Sequence, residues 1–518
     1  MLVRVQSQTL FGIEAVPCEV EVNTSSHGFA TAIIVGMPDA AVKESLERIR
    51  TAMSNAGYAP PEHRTVINLA PADVRKEGPS LDLPIALGMC FAADGIAPEL
   101  LSAFMVAGEL ALDGRTRPIK GALSMAMLAR ERGLRGVIVP RDNAAEAAVV
   151  REIEVIPVSN MTEAVGYLTE QLEIEPASLD LSSVFAEQSK YDVDFGDVRG
   201  QEFAKRAVTI AAAGHHNLLL IGPPGVGKTL MVKCLPTILP ALSMNESLET
   251  TRIWSAAGKL PPGSPLIGTR PIRSPHHSAS AAALVGGGSV PQAGEVSLAH
   301  HGVLFLDEFP EFQRGILETL RQPMEDGCVT IARSHSAVRF PAQFMLVAAM
   351  NPCPCGYHDD PKRPCKCTLP QIDKYRSRVS GPLLDRIDIH FKVRAVSYES
   401  LRDRKPDGGA IAARPGTTSA EIRERVVATR EIQRRRFGRD NNIMNSRMSP
   451  KLVREHCPLT DDCEHILKAA MTELGLSARA HDKVLRVART IADLDGSEQI
   501  RAPHLNEAVN YRQLDRQM

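Results

Sequence analysis

The sequence has no excess of charge of either sign. Its 518 residues carry 60 Lys and Arg against 61 Asp and Glu, a formal net charge of −1. That balance excludes a globally basic nucleic-acid coat and an acidic tail protein, and leaves room for local basic patches. The sequence also lacks any apolar run near the about 18 residues that cross a bilayer; the best, Phe344–Met350, has the length of a strand. The opening MLVRVQSQTLFGIEAVPCEVEV has no continuous apolar stretch and no small-residue cleavage site, so it predicts a strand and not a secretory signal. Cysteine is sparse: ten in the chain, four of them in two C-x-C pairs, which is not a disulfide scaffold and predicts a cytoplasmic protein. Internal repeats and long low-complexity tracts are missing too. What remains is an ordinary globular composition, 44% hydrophobic and 23% charged, long enough for three or four domains at roughly 100–200 residues each.

Along the chain, residues 1–170 alternate β-rich runs (Val3–Val5, Thr31–Val35, Val66–Leu69, Val137–Val139) with helical patterns (Asp39–Asn55, Asp82–Ala93, Ala122–Arg132), which predicts a first α/β domain. Residues 171–195 are polar and acidic and read as a linker. A second α/β domain is expected over 196–395, a Pro/Gly/Thr-rich linker over 396–420, and a helical domain over 421–518.

The strongest motif is Gly222, Pro223, Pro224, Gly225, Val226, Gly227, Lys228 and Thr229. It follows the apolar strand Leu218–Ile221 and opens a helical pattern, the setting a P-loop requires. Its backbone N–H groups would wrap phosphates, Lys228 would reach the β- and γ-phosphates of ATP, and Thr229 would ligate Mg²⁺. A second apolar strand, starting at Gly302, ends in Asp307 and Glu308. Asp307 would complete the Mg²⁺ shell and Glu308 would orient the attacking water. A third, Phe344–Met350, ends in Asn351, placed to bond the γ-phosphate or that water.

In this order the three strand ends resemble the AAA+ ATPases, and among them the group of the magnesium-chelatase motor subunit and the MCM helicases. The resemblance implies two further catalytic residues. Arg386, in Ser380–Asp388, would be an arginine finger reaching a neighbouring subunit's γ-phosphate, and Arg479, in Leu476–Arg486, would be the lid arginine that contacts nucleotide in its own subunit. A finger acting in trans implies a ring, expected to be a homohexamer.

Between the second and third strands, Glu325–Phe340 reads as a hairpin with a basic, hydroxylic tip. It lacks the aromatic–hydrophobic pair of protein-unfolding pore loops, so Arg333, His335 and Arg339 are candidates to hold DNA phosphates; a solvated turn is the alternative. An insert before the acidic strand offers Arg270 and Arg273 as secondary DNA candidates, with His276 and His277 as hydrogen-bonding residues of a loop. Seven arginines between Arg423 and Arg439 read as a solvated helix face.

Cys353, Cys355, Cys365 and Cys367 lie within fifteen residues of a Pro- and Gly-rich loop and can close a structural Zn²⁺ site, with His358 able to replace one of them. Four reduced thiols or an iron–sulfur cluster are the alternatives.

In the first domain, Lys76–Leu87 around Ser80 resembles the nucleophile segment of the Lon protease, and Gly108–Leu123 resembles its lysine segment. The lysine position holds Leu123, and Lys120 falls three residues early. Leucine cannot accept a proton, so a Lon-like domain without peptidase activity is expected. Taken together, the fold class is α/β: a P-loop AAA+ core with a parallel sheet, an N-terminal Lon-protease-like α/β domain and a C-terminal helical lid. Nearly the whole chain resembles the YifB/ComM family of magnesium-chelatase-like proteins. The family implies a hexameric, ATP-dependent DNA helicase that promotes branch migration as single-stranded DNA is integrated in natural transformation. Its partners would be single-stranded and branched DNA, with no membrane. A chelatase-type or chaperone-type motor acting on a protein partner is the alternative.

Overall fold

The structure is a computed structural model that describes residues 1–512 except 26, 28, 30, 189–190, 289–290, 334–335, 359, 361–362, 396–416 and 439–442. It divides into two compact units. The first comprises Met1–Gln188 with Ser243–Gly268 and Ala332–Phe340; the second comprises Ser189–Leu242, Thr269–Ile331 and the chain from Pro341 onward.

The first unit is built on a seven-stranded mixed sheet, in the spatial order Ala32–Val35, Thr65–Ala70, Glu14–Thr24, Leu2–Phe11, Phe104–Val106, Gly136–Pro140, Glu154–Val158. The opening sequence forms a long antiparallel hairpin, Leu2–Phe11 on Glu14–Thr24, joined by Gly12 and Ile13. Gly12 takes φ +68°, the left-handed conformation such a two-residue turn demands. Alternation then turns Cys18, Val20 and Val22 inward. They meet the helix Asp82–Asp94, which is apolar on every side and buried from Asp82 to Ala92. Asp39 accepts from the Val42 N–H at 2.8 Å and so starts the helix Ala40–Asn55. The expected linker at 171–195 contains a short helix, Leu181–Gln188. Its sequence is a poor helix former; tertiary contacts hold it, Gln188 accepting from the Gly268 N–H at 2.6 Å and donating to the Leu266 carbonyl at 2.9 Å.

The second unit carries an all-parallel five-stranded sheet, ordered Ile272–Arg273, Val303–Leu306, Met345–Met350, Leu218–Ile221, Ile389–Lys392. The three central strands, Val303–Leu306, Met345–Met350 and Leu218–Ile221, are continuous buried apolar runs, as expected when both faces are covered. The strand that feeds the P-loop motif, Leu218–Ile221, comes first of the five in the chain and lies between the fourth and the fifth. The connections diverge on either side of it, and at such a switch point the carboxyl ends of the strands open a crevice. Among the described residues, the helices Ser419–Phe437, Pro450–His456, Asp461–Leu474, Ala478–Leu494 and Ala502–Asn510 follow. Ile422, Val426, Val484, Ala488 and Ile491 share one core with Ala207, Ile210 and Ala211 of the helix Glu202–Gly214.

Inside that core lies an ion cluster. Asp388 receives Lys483 Nζ at 2.8 Å and the Asn217 N–H at 2.9 Å, with His216 Nδ1 at 3.7 Å. Burial pushes the Asp388 carboxyl up, but Lys483 and His216 outweigh it and hold the group well below the usual carboxylate range. The arginine-rich stretch is not a uniform solvated face. Arg425, Arg434 and Arg435 are exposed, whereas Arg430 is buried on the Ala212 carbonyl and Arg436 forks onto Asp493; Arg439 lies outside the described residues. Most of the expected linker at 396–420 lies outside them as well. Among the described residues, no helix is long and apolar enough to cross a membrane.

Candidate functional site

The site grows from the carboxyl ends of three adjacent strands. After Ile221 the chain turns through Gly222–Gly227 and enters the helix Lys228–Lys233. Gly225 and Gly227 take φ of +80° and +88°, and a Cβ on Gly222 would stand 2.6 Å from the Val393 carbonyl oxygen. The loop therefore needs glycine at these positions. Lys228 is 8% exposed, and its ammonium donates to the carbonyls of Gly222 and Pro223 and to Asn351 Oδ1 at 3.1 Å. Burial lowers its pKa to about 8 against the pull of Asp307. The Thr229 hydroxyl donates to Asp307 Oδ2 at 3.0 Å. Lys228 is thus paired with Asn351, and Thr229 with Asp307, at the ends of the three strands.

Glu308 leaves the acidic strand in a left-handed conformation, φ 51° and ψ 44°, unusual for a residue other than glycine. Its carboxylate lies 3.2 Å from His277 Nδ1. The insert histidine was expected to hydrogen-bond; its partner was not foreseen, because nothing in the spacing of residues 277 and 308 joins them. His276 bonds the Ser278 hydroxyl at 2.8 Å.

Beside the P-loop motif opens a cleft of about 390 Å³ lined by Asp197–Arg199, Gln201, Pro223–Gly227, Leu230 and Ala395, and by Tyr357, Asp360 and Arg363 of the cysteine loop. Arg386 is not drawn into this cluster: its guanidinium reaches Glu325 at 2.5 Å and the Pro382 carbonyl at 2.7 Å. Arg479 is exposed in the first turn of Ala478–Leu494.

The four loop cysteines come together, with all sulfurs within 4.8 Å of one another and without His358. Cys353 stands 3.4 Å from Cys355 and 3.7 Å from Cys365, and Cys355 stands 3.6 Å from Cys365. These separations exceed a disulfide bond and approach the edge of about 3.8 Å of a tetrahedron with Zn–S bonds of about 2.3 Å. These residues fit Zn²⁺.

The expected DNA contacts divide. Strands Cys328–Arg333 and Ser336–Pro341 form the hairpin, and Arg339 is exposed on it. His335 and the side chain of Arg333 lie outside the described residues. Arg270 must be corrected. It is only 9% exposed, and its guanidinium donates to the carbonyls of Pro240, Ala241 and His301, so it braces the fold and presents no free surface to a phosphate. Arg273 forks onto Glu295 at 2.5 and 2.8 Å, which neutralises it.

In the first unit, Ser80 lies in the turn Pro79–Leu81, and Leu123 is fully buried, its N–H donating to Glu146 at 2.9 Å. Lys120 is exposed.

Three family models match the chain: "magnesium chelatase, subunit ChlI" over residues 194–401, "subunit ChlI of Mg-chelatase" over 20–143, and "magnesium chelatase, subunit ChlI C-terminal" over 416–512. The competence protein ComM of Haemophilus influenzae is 41% identical over 516 residues, 99% of this chain and 97% of its own length. The protein YifB of Salmonella typhimurium is 41% identical over 515 residues, with the same coverage of 99% and 97%. A Lon protease of Rhizobium meliloti is 29% identical over 153 residues, 26% of this chain and 19% of its own. The α/β fold expected from the sequence stands: a P-loop AAA+ core on a parallel sheet, a Lon-protease-like α/β domain before it and a helical lid after it. With relatives matched end to end at this identity, the chain belongs to the YifB/ComM family of magnesium-chelatase-like AAA+ proteins.

Proposed function

We propose that this protein is an ATP-driven DNA motor, a homohexameric helicase or translocase that promotes branch migration while single-stranded DNA is integrated during natural transformation. The observation that carries the ATPase half is the convergence of Lys228, Thr229, Asp307 and Asn351 beside the cleft. Gly222–Gly227 would cradle the phosphates and Lys228 would turn from the loop carbonyls onto them. Thr229 and Asp307 would hold Mg²⁺, which neutralises charge on the β- and γ-phosphates. Glu308, once released from His277, would orient the water, and Asn351, once released from Lys228, would bond the γ-phosphate. Arg386 would leave Glu325 to serve a neighbouring subunit, where such a finger is worth about 10³–10⁵ in rate; Arg479 would read the nucleotide in cis. Zn²⁺ on the four cysteines would be structural.

The DNA half rests on Arg339, exposed on the hairpin, and on the competence name of the Haemophilus relative. In this reading the protein is cytoplasmic, and its parts are the Lon-like domain over 1–170, the motor over 196–395 and the lid over 421–518, with linkers over 171–195 and 396–420. The chelatase family models favour a second reading, a motor working on a protein partner. A labelled four-stranded junction with homologous arms separates the two. ATP-dependent arm exchange that disappears in Lys228→Ala is the expected result. ATP hydrolysis with no arm movement on junctions or forks, and no stimulation by DNA, selects the second reading.

A further inference from the structure

The cysteine loop does more than follow Asn351; it packs on the P-loop motif. Gly356 takes φ +84°, and a Cβ there would lie 2.7 Å from Pro224 Cδ and 3.9 Å from Asn351 Cγ. Behind this contact Cys353 is fully buried. Beyond it, Tyr357, Asp360 and Arg363 face the cleft that Pro223–Gly227 also line. Arg363 lies over the Tyr357 ring, 5.2 Å from its centroid, and donates to the Tyr357 hydroxyl at 2.9 Å. Its backbone N–H donates to Asp360 at 3.0 Å. Arg363 is exposed, so neither contact is needed to bury it.

A guanidinium stacked on an aromatic ring at the wall of a phosphate-binding cleft has the chemistry to receive a polyanion that carries a purine. The described residues between Cys355 and Thr368 form no helix or strand. Besides the contact of Gly356 with the P-loop motif, the thiols at the two ends of this segment converge, Cys353 and Cys355 before it and Cys365 and Cys367 after it. Closing a short loop through metal–thiolate bonds removes the conformational freedom that an open loop would lose on binding a ligand.

We propose that the cysteine loop is a metal-set wall of the nucleotide pocket, with Tyr357 and Arg363 as nucleotide-contacting residues whose placement depends on Zn²⁺ bound by Cys353, Cys355, Cys365 and Cys367. This rests on the reading of the cleft as an ATP site. It makes the metal a determinant of nucleotide affinity while keeping it out of the chemistry.

The test is a titration of the full-length protein with a fluorescent ATP analogue, alongside zinc content measured by atomic emission. The wild type is expected to hold one zinc per chain. Arg363→Ala keeps that zinc, because the side chain is exposed and touches no sulfur, and binds the analogue about tenfold more weakly. The double variant Cys365→Ser/Cys367→Ser loses zinc and loses at least as much affinity. Unchanged affinity in Arg363→Ala overturns the contact, and a wild type free of zinc overturns the metal's part. Lys228→Ala keeps the two levels apart. If neither it nor the wild type binds the analogue, the ATP site itself is wrong. If the wild type binds and only Lys228→Ala fails, with Arg363→Ala intact, the site stands and this wall does not.

Discussion

Lys76–Ser80 in the first unit and Gly222–Thr229 in the second are built from the same kinds of residue, a lysine, glycine, proline and a hydroxyl on a loop that runs into a helix. The structure uses them in opposite ways. In the first, the Lys76 ammonium is buried on the Pro71 carbonyl, and Asp82 is held by Arg48 at 2.7 Å and by the Leu110 N–H at 3.2 Å. The side chain at the position a base would need, Leu123, belongs to the core. In the second, Lys228 bonds Asn351 and Thr229 bonds Asp307 beside a cleft of about 390 Å³. Polar groups consumed by internal partners hold a fold together. The same groups gathered beside open space can exchange those partners for a ligand.

The largest test of this contrast is the pair Lys228→Ala and Ser80→Ala. Lys228→Ala is expected to lower ATP turnover by about 10²–10³. Ser80→Ala is expected to leave turnover and thermal midpoint unchanged, with no peptide cleavage in either protein. Cleavage of an unfolded protein substrate by the wild type that stops in Ser80→Ala would break the contrast.

The second prediction compares buried acids. Asp388→Asn leaves Lys483 buried without a counter-charge and should cost about 3–5 kcal/mol in denaturant unfolding. Because its folded pKa is depressed, Asp388 stabilises the protein above its unfolded value of about 3.9, and that support drains away as pH falls below it. The acid limb of a pH–stability curve should therefore flatten in Asp388→Asn. Glu146 has the opposite sign. Burial raises its pKa although Ser255, the Leu123 N–H and Asn143 bond it, so its contribution is greatest in acid and declines as pH rises through the raised value. Glu146→Gln should cost about 1 kcal/mol or less at neutral pH.

The sequence made some of this plain and hid the rest, for physical reasons. Motifs that are contiguous in the chain were legible: the glycine turn before Lys228, the acids after Leu306, the apolar strand before Asn351, the paired cysteines. Each carries its own context, and the parallel sheet then brings their ends together. The opening strand and the helices at Ala40 and Asp82 were legible through their residue pattern, whereas the return of the opening strand as the hairpin Leu2–Thr24 was not. What stayed hidden depends on contacts between distant residues. Asp388 with Lys483, Glu308 with His277, and Arg270 with the Pro240 carbonyl have no signature in spacing. An arginine in a sequence looks the same whether it faces water or three carbonyls. The helix Leu181–Gln188 was hidden because side-chain contacts, not its own propensity, hold it.

A smaller effect tests the hidden pair. With His277 removed, nothing described in the second unit holds the Glu308 carboxylate to one side. His277→Ala should raise DNA-free ATP turnover about 2–5-fold, the worth of one exposed polar contact expressed as a rate. A fall in turnover would mean that His277 supports hydrolysis instead of restraining it.

The smallest effect asks whether exposure separates the arginines as the comparison requires. Arg339 is exposed on the hairpin and Arg270 is spent on carbonyls. If Arg339 meets a phosphate, Arg339→Ala weakens DNA binding equally across sequences and lowers the slope of log affinity against log salt by about 1, because one fewer counterion is released. Arg270→Ala should lower the thermal midpoint, since three carbonyls lose their donor, and leave the slope at its wild-type value. Fluorescence anisotropy at four or five salt concentrations reads both. Equal slopes for the wild type and Arg339→Ala would remove this arginine from the DNA surface. A reduced slope for Arg270→Ala would show that a buried guanidinium can still act at a distance through the residues it braces, and the line drawn between scaffold and site would have to move.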